Sequence, residues 1–319
     1  MTMFDTPVTD AAGRTRLVIG TRGSKLALWQ SNYVAGLIRD LTGLPVELDI
    51  IKTTGDKITD VPLARVGGKG LFTKEIELAL LDGSVDLAVH SMKDVPTELP
   101  DGCILAGMPA REDARDVVVS GRGYNLLTLP AGGTVGTSSL RRVAQVRALR
   151  PDVEIVDVRG NLDTRMRKAE DGAVDVVILA AAGIRRMGWG DRITDYIPTD
   201  QMVSAVGQGA IGIEIRSDDP FMATVCAALS DTATLTCVRA ERVVMNRLEG
   251  GCQIPIGAYC RYRGTDLILD AMVGSVDGTR ILRSTQTGAA DTGEALALAA
   301  VAELRAAGAD DILATIRND

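Results

Sequence analysis

Apolar positions along the chain recur in two rhythms. Short runs in which every residue, or every second residue, is apolar alternate with stretches whose apolar residues return every three to four positions, the marks of strands and of amphipathic helices. A strand is predicted over residues 16–21, then a helix from Ser24 with an apolar face of Leu26, Trp29, Tyr33, Leu37 and Leu41. A strand over 46–52, a glycine-rich loop over 55–70, a helix over 73–81 and a strand over 85–91 follow. This order, β-α-β-loop-α-β, predicts an α/β layer on a mostly parallel sheet.

The middle of the chain repeats the pattern. VIGT at 18–21 is echoed by TVGT at 134–137, VEL at 46–48 by VEI at 153–155, and DGSVD at 82–86 by DGAVD at 171–175. Two similar lobes are therefore expected. The C-terminal part changes character: a helix over 235–248 leads into β-type segments over 258–284, with Asp277-Gly278 as a hairpin turn, and an Ala-rich helix over 294–307 closes it. A small α+β third domain is the expectation.

Composition narrows the class. A chain of 319 residues suggests two or three domains, and 46% hydrophobic residues suffice for a sizeable core. Aromatics at 3% exclude stacking platforms for single-stranded nucleic acid, and a net charge of −7 argues against general DNA binding. Five cysteines without a CxxC pair make neither a disulfide framework nor a zinc ribbon. The N-terminal residues lack a signal-type apolar core, and no apolar run is long enough to cross a bilayer. A reduced, soluble, intracellular protein is expected. His90 is the single histidine, so a multi-imidazole zinc site is excluded and any Ser-His-Asp triad would have to use it.

Several motifs must be weighed. Gly207 to Gly212 fits GxGxxG, but Ile211, Ile213 and Ile215 alternate as in a strand, so these glycines are read as serving a chain crossing or close packing. Gly67-Gly68-Lys69-Gly70 lacks the Ser or Thr of a phosphate-binding loop and reads as a mobile loop carrying one lysine. Arg22 and Ser24, and Thr137, Ser138, Ser139, Arg141 and Arg142, lie where a strand gives way to a helix, a junction that favours anions. Arg159, Arg165 and Arg186 occupy comparable places in the second lobe. Any one of these arginines reads as a solvated helix face; their repetition at strand ends favours a cleft for carboxylates or phosphates. Lys93-Asp94 after the 85–91 strand is either an exposed ion pair or an acid/base, and the residues alone leave both open. Cys252 sits between Gly250-Gly251 and Pro255 in a tight loop able to present a thiol, whereas Cys103, Cys226, Cys237 and Cys260 read as buried structural cysteines.

Taken together, TRGSKLALWQ at 21–30, GGKGLFTKE at 67–75, AVHSMKDVPTELP at 88–100, GTSSLRR at 136–142, RGNLDTR at 159–165, AVGQGA at 205–210 and RLEGGCQIPIG at 247–257 resemble the porphobilinogen deaminase family over nearly the whole chain. The resemblance implies two periplasmic-binding-protein-like lobes with mostly parallel, mixed sheets: lobe 1 at 13–109 with 210–229, lobe 2 at 110–209, and a C-terminal α+β domain at 230–319. It implies a transferase that condenses four porphobilinogen molecules head to tail, with loss of ammonia, onto a covalent dipyrromethane cofactor, and then hydrolyses the product free as hydroxymethylbilane. On the matching positions, Cys252 carries the cofactor through a thioether and Asp94 is the catalytic carboxylate. Ser91, Lys93, Asp94, Thr137, Ser138, Ser139, Arg141, Arg142 and Arg159 hold the cofactor. Arg22, Ser24, Arg159, Arg165, Arg186 and Gln208 hold substrate, and Lys69 lies in a lid. No metal, nucleic acid or membrane partner is implied, and a cytoplasmic monomer is expected. Each pyrrole brings two carboxylates, so a lining of permanently charged arginines suits the chemistry. The competing reading is a two-lobed solute-binding or sensor protein that binds anions without catalysis; it gives the Gly-Gly-Cys loop nothing to do.

Overall fold

The computed structural model describes residues 13–57, 70–248 and 254–318. The chain forms two compact units, Met1–Arg111 with Ala210–Leu235 and Glu112–Gly209 with Thr236–Asp319. In the first stretch run β1 (Leu17–Thr21), α1 (Lys25–Thr42), β2 (Val46–Ile50), the short α2 (Thr54–Lys57), α3 (Lys74–Leu81), β3 (Leu87–Ser91) and β4 (Cys103–Gly107). The second stretch holds β5 (Asp116–Val119), β6 (Thr134–Gly136), α4 (Leu140–Leu149), β7 (Glu154–Val156), α5 (Leu162–Glu170), β8 (Val176–Ala180), α6 (Ala181–Arg186) and β9 (Asp195–Tyr196). After it come β10 (Ile211–Arg216), α7 (Pro220–Leu229), α8 (Thr232–Arg247), β11 (Ile256–Arg263), β12 (Asp266–Gly274), β13 (Ile281–Ala289), α9 (Gly293–Ala306) and α10 (Ala309–Asn318). Of the glycine-rich loop predicted over 55–70, residues 58–69, Lys69 among them, lie outside the described residues, and 55–57 belong to α2 instead.

The protein is α/β, and its described residues form two five-stranded mixed sheets and a small C-terminal sheet. The first sheet has the order β2-β1-β3-β10-β4 and the second β7-β6-β8-β5-β9. In each, the first three strands are parallel and the next two pair antiparallel. The echoes read from the sequence fall on equivalent places. After α3 and α5 the chain turns through Gly83 and Gly172, both at positive φ (+82° and +77°), a conformation glycine reaches without strain. Three residues later an aspartate pins the start of the central strand: Asp86 Oδ2 accepts the Val18 N–H at 2.8 Å, and Asp175 Oδ2 accepts the Thr134 N–H at 2.8 Å.

In the first unit Leu17, Ile19, Leu87, Val89, Ile211, Ile213 and Ile215 pack with Val34, Ile38 and Val225 from helices. The predicted apolar face of α1 is corrected. Its buried side is Gln30, Ser31, Val34, Ala35, Ile38 and Leu41, so only Leu41 belongs to both. Trp29 and Tyr33 are 36% and 39% exposed and stack on one another, ring centroids 5.5 Å apart. Two polar residues turn inward because partners await them: Ser31 Oγ donates to Thr21 Oγ1 at 2.7 Å and Gln30 Nε2 to Ser91 Oγ at 3.0 Å.

The C-terminal β11-β12-β13 meander is antiparallel, and α9 buries Ala297, Ala300, Val301 and Leu304 against it. The predicted Asp277-Gly278 turn joins β12 to β13, with Gly278 at φ +78°. The GxGxxG match opens no helix: Ile211 begins β10. Gly209 has φ +88°, and a side chain there would run into the Glu112 carbonyl oxygen. Gly209→Ala is therefore expected to cost about 2 kcal/mol or more, through backbone strain and a backbone clash together. Urea unfolding would measure it, and an unchanged midpoint would contradict the packing described.

Candidate functional site

In the first unit the chemistry-bearing residues gather at the C-terminal ends of two paired parallel strands, β1 and β3. Ser24 Oγ caps α1 by accepting the Ala27 N–H at 3.2 Å, and the Arg22 guanidinium lies 4.2 Å above the Phe72 ring. Beyond β3 the chain makes a single 3-10 turn, Met92–Asp94. It is anchored by the Met92 N–H on the Ala210 carbonyl at 3.0 Å and by the buried Met92 side chain; a Cβ at Gly212 would meet its sulfur at 2.5 Å. The anchored turn leaves Lys93 and Asp94 half-buried at the sheet end, beside Ser91. Among the described residues no hydrogen bond or ion pair engages the Asp94 carboxylate, so it is available to a ligand.

In the second unit the residues after β6 and β7 form the corresponding rim. Thr137 is buried, its N–H on the Val156 carbonyl at 2.9 Å, and Ser138 Oγ reaches the Val158 carbonyl at 3.4 Å. The Ser139 N–H donates to Thr137 Oγ1 at 3.3 Å. Arg159 Nε pairs with Asp157 at 2.8 Å, Arg165 Nε donates to the Gly160 carbonyl at 2.7 Å, and Arg186 Nη2 to the Gly209 carbonyl at 2.6 Å. All three arginines keep partial exposure.

Arg141 and Arg142 are different: they are 4% and 5% exposed, and both meet the fully buried Asp116. Burial alone would raise the Asp116 pKa, but the two guanidiniums outweigh it and hold the carboxyl far below the usual carboxylate range. Gln208 donates to the same carboxylate at 3.0 Å and to the Ala114 carbonyl at 2.8 Å. Asp116 was not singled out from the sequence; the available signal was a charged residue opening the otherwise apolar run Val117-Val118-Val119.

The single histidine takes no place on these rims. His90 Nε2 lies 2.9 Å from Glu214 Oε2, both side chains almost fully buried, with Glu77 and Cys103 beside them. Burial raises the Glu77 pKa, and the Glu214 charge adds to it. Burial also pushes the Cys103 and Cys226 thiols up to about 12. The four cysteines among the described residues are all buried; Cys252, like Lys69, lies outside the described residues.

A family profile described as "Porphobilinogen deaminase, dipyromethane cofactor binding domain" matches residues 17–224, and one for the C-terminal domain of porphobilinogen deaminase matches residues 235–306. The chain belongs to the porphobilinogen deaminase family. Relatives so named include one from Syntrophobacter fumaroxidans, 55% identical over 85% of this chain and 88% of its own, and one from Geobacter metallireducens, 51% identical over 94% and 95%. Among solved structures, the methionine binding protein MetQ is 13% identical and covers 67% of this chain and 90% of its own at a TM-score of 0.43. The family profiles and the curated relatives do not favour the non-catalytic binder. The cofactor-binding domain of this deaminase has residues that fit a group bearing carboxylates: two buried guanidiniums face only one carboxylate, leaving positive charge over.

Two outcomes follow from the buried groups. At pH 8 a thiol with a pKa of about 12 is ionised in about one molecule in ten thousand, so Cys103 and Cys226 should resist iodoacetamide in the native protein and react only in denaturant. Peptide mass mapping reads this directly, and native labelling of either would contradict their burial. Glu77 carries a folded-state pKa above its unfolded one, so its ionisation opposes folding as pH rises through the carboxylate range. Glu77→Gln should therefore raise the melting temperature at pH 7 by roughly 2–4 °C. The gain should vanish below pH 4, where the wild-type carboxyl is protonated in both states.

Proposed function

We propose that this chain runs the porphobilinogen deaminase reaction with Asp94 as general acid and base and Cys252 as the point of cofactor attachment. The observation that carries this reading is the Asp94 carboxylate, anchored by its turn at the sheet end and engaged by no described residue. When bound, the dipyrromethane supplies the carbon nucleophile to which porphobilinogen is joined.

Asp94 in its protonated form delivers a proton to the departing amine, which leaves as ammonia. As a carboxylate it then stands against the pyrrole N–H of the cationic azafulvene form of the substrate and lowers its energy. The same carboxylate would take up the proton released as the new carbon–carbon bond is made, which would return it to the acid form. Lys93, Ser91 and Arg22, at the same sheet end, bind carboxylate side chains of the pyrroles. In the second unit Thr137, Ser138 and Ser139 offer hydroxyls, and backbone N–H groups opening α4, to such carboxylates. Arg141, Arg142 and Arg159 supply fixed positive charge for the cofactor, and Arg165 and Arg186, with Ser24 in the first unit, do so for substrate. Because guanidiniums stay protonated at every working pH, this charge does not depend on the state of Asp94. Lys69 contributes one more cation from its loop.

The chain is further proposed to act as a cytoplasmic monomer with no nucleic acid or membrane partner. In support, no single helix among the described residues is long and apolar enough to cross a membrane, and the net charge is −7. The proposed domains are 13–109 with 210–229, 110–209 and 230–319, one for each sheet.

The test is Asp94→Asn, which keeps shape and removes the proton. It should fold as the wild type does and carry the same covalent adduct mass. Its rate of ammonia release from porphobilinogen should fall by about 100-fold or more. A kcat within a few-fold of wild type would remove Asp94 from the mechanism.

A further inference from the structure

We propose that Asp116, aligned by Gln208, is a positioning residue that holds Arg141 and Arg142 as one paired cationic seat for a carboxylate of the cofactor. The inference deepens the deaminase reading and rests on it.

The network is saturated on one side and open on the other. Asp116 Oδ1 accepts Arg142 Nε at 3.0 Å, Arg142 Nη2 at 2.7 Å and Gln208 Nε2 at 3.0 Å, while Oδ2 accepts Arg141 Nη1 at 2.7 Å. Arg142 Nη1 is taken by the Ile178 carbonyl at 2.9 Å, so each of its three nitrogens has a partner. Arg141 turns only Nη1 inward, to Asp116 and to the Val203 carbonyl at 2.6 Å. Among the described residues its Nε and Nη2 donate to nothing. That edge has the spacing to take a carboxylate side-on.

The charge count points the same way. Two guanidiniums and one carboxylate, all nine-tenths or more buried, leave one positive charge uncompensated where desolvation is costly. A structural ion pair would balance; this one is completed by a second anion. The order of parts also matters. An arginine side chain is long and flexible, and a seat that had to freeze both on binding would lose much of its affinity to entropy. Asp116 holds both guanidiniums in advance. Gln208 is 1% exposed, so it acts through Asp116 rather than on a ligand.

The experiment uses the full chain purified from a host unable to make porphobilinogen, incubated with porphobilinogen and followed by intact mass. The variants are Asp116→Asn, Arg141→Gln and the two combined, each also melted to confirm a cooperative fold. We expect Asp116→Asn to gain the adduct at least about tenfold more slowly than wild type. The combined variant should be slowed by clearly less than the product of the two single effects, because Asp116 acts in part through that guanidinium; two independent roles would instead multiply. A folded Asp116→Asn with the wild-type rate, or multiplicative effects, would overturn the proposal. Should Asp116→Asn fail to fold, Gln208→Ala decides. It removes one neutral bond to the same carboxylate and should slow adduct gain several-fold, and by less when Arg141 is absent. An unchanged rate in that variant would overturn the proposal. If the wild type gains no mass, the deaminase reading itself falls, and this inference with it.

Discussion

A charge taken out of water must be met by other charges or by hydrogen bonds, and in this protein that requirement is concentrated on Asp116. It opens a strand that is otherwise all valine, paired on both sides within its sheet, with no exposure to solvent. Arg141 and Arg142, with Gln208, make that position tolerable for a carboxylate, and Asp116, with the Val203 and Ile178 carbonyls, makes it tolerable for two guanidiniums. The first turn of α4, the strand β5 and the glutamine after Gly207 are thereby tied to one another. Removing one partner leaves the others buried and unmet, so the fold of the second unit and, on the proposed reading, its capacity to receive an anion depend on the same few bonds.

The two lobes show one sheet plan put to two uses. Both present strand ends where hydroxyls, backbone N–H groups and arginines can meet anions. In the first unit the third strand is followed by a lysine and an aspartate whose carboxylate is free among the described residues. In the second unit the corresponding strand, β8, runs into Ala181-Ala182-Gly183 and offers no acid at all. On the proposed reading, the duplicated frame gives the first unit an acid–base beside its cations and the second unit fixed positive charge alone. That division suits a reaction in which the substrates are polyanions and only the departing amine needs a proton.

Much of this was legible in the sequence because it is local. The strand and helix rhythms, the left-handed glycines at 83 and 172 and the aspartates three residues beyond them are each decided by near neighbours, so their echoes could be read directly. The face of α1 was not, because the partner that draws Gln30 inward, Ser91, is distant in sequence, and large aromatic side chains dominate any count of periodicity. Asp116 was hidden for the same reason: its ligands come from α4 and from the turn before β10. Gln208, which the resemblance assigns to substrate, is buried beside the Asp116 carboxylate. What local pattern cannot supply is which polar groups meet in the interior, and in this protein those meetings organise the seat.

The central claim is that a cofactor built from the enzyme's own substrate is carried on Cys252. It is tested most directly by the intact mass, under denaturing conditions, of wild type and of Cys252→Ser produced in cells that make porphobilinogen. The account predicts an excess equal to two deaminated porphobilinogen units on the wild type and a bare chain for Cys252→Ser. A bare wild-type chain, or the same excess on both proteins, would contradict it.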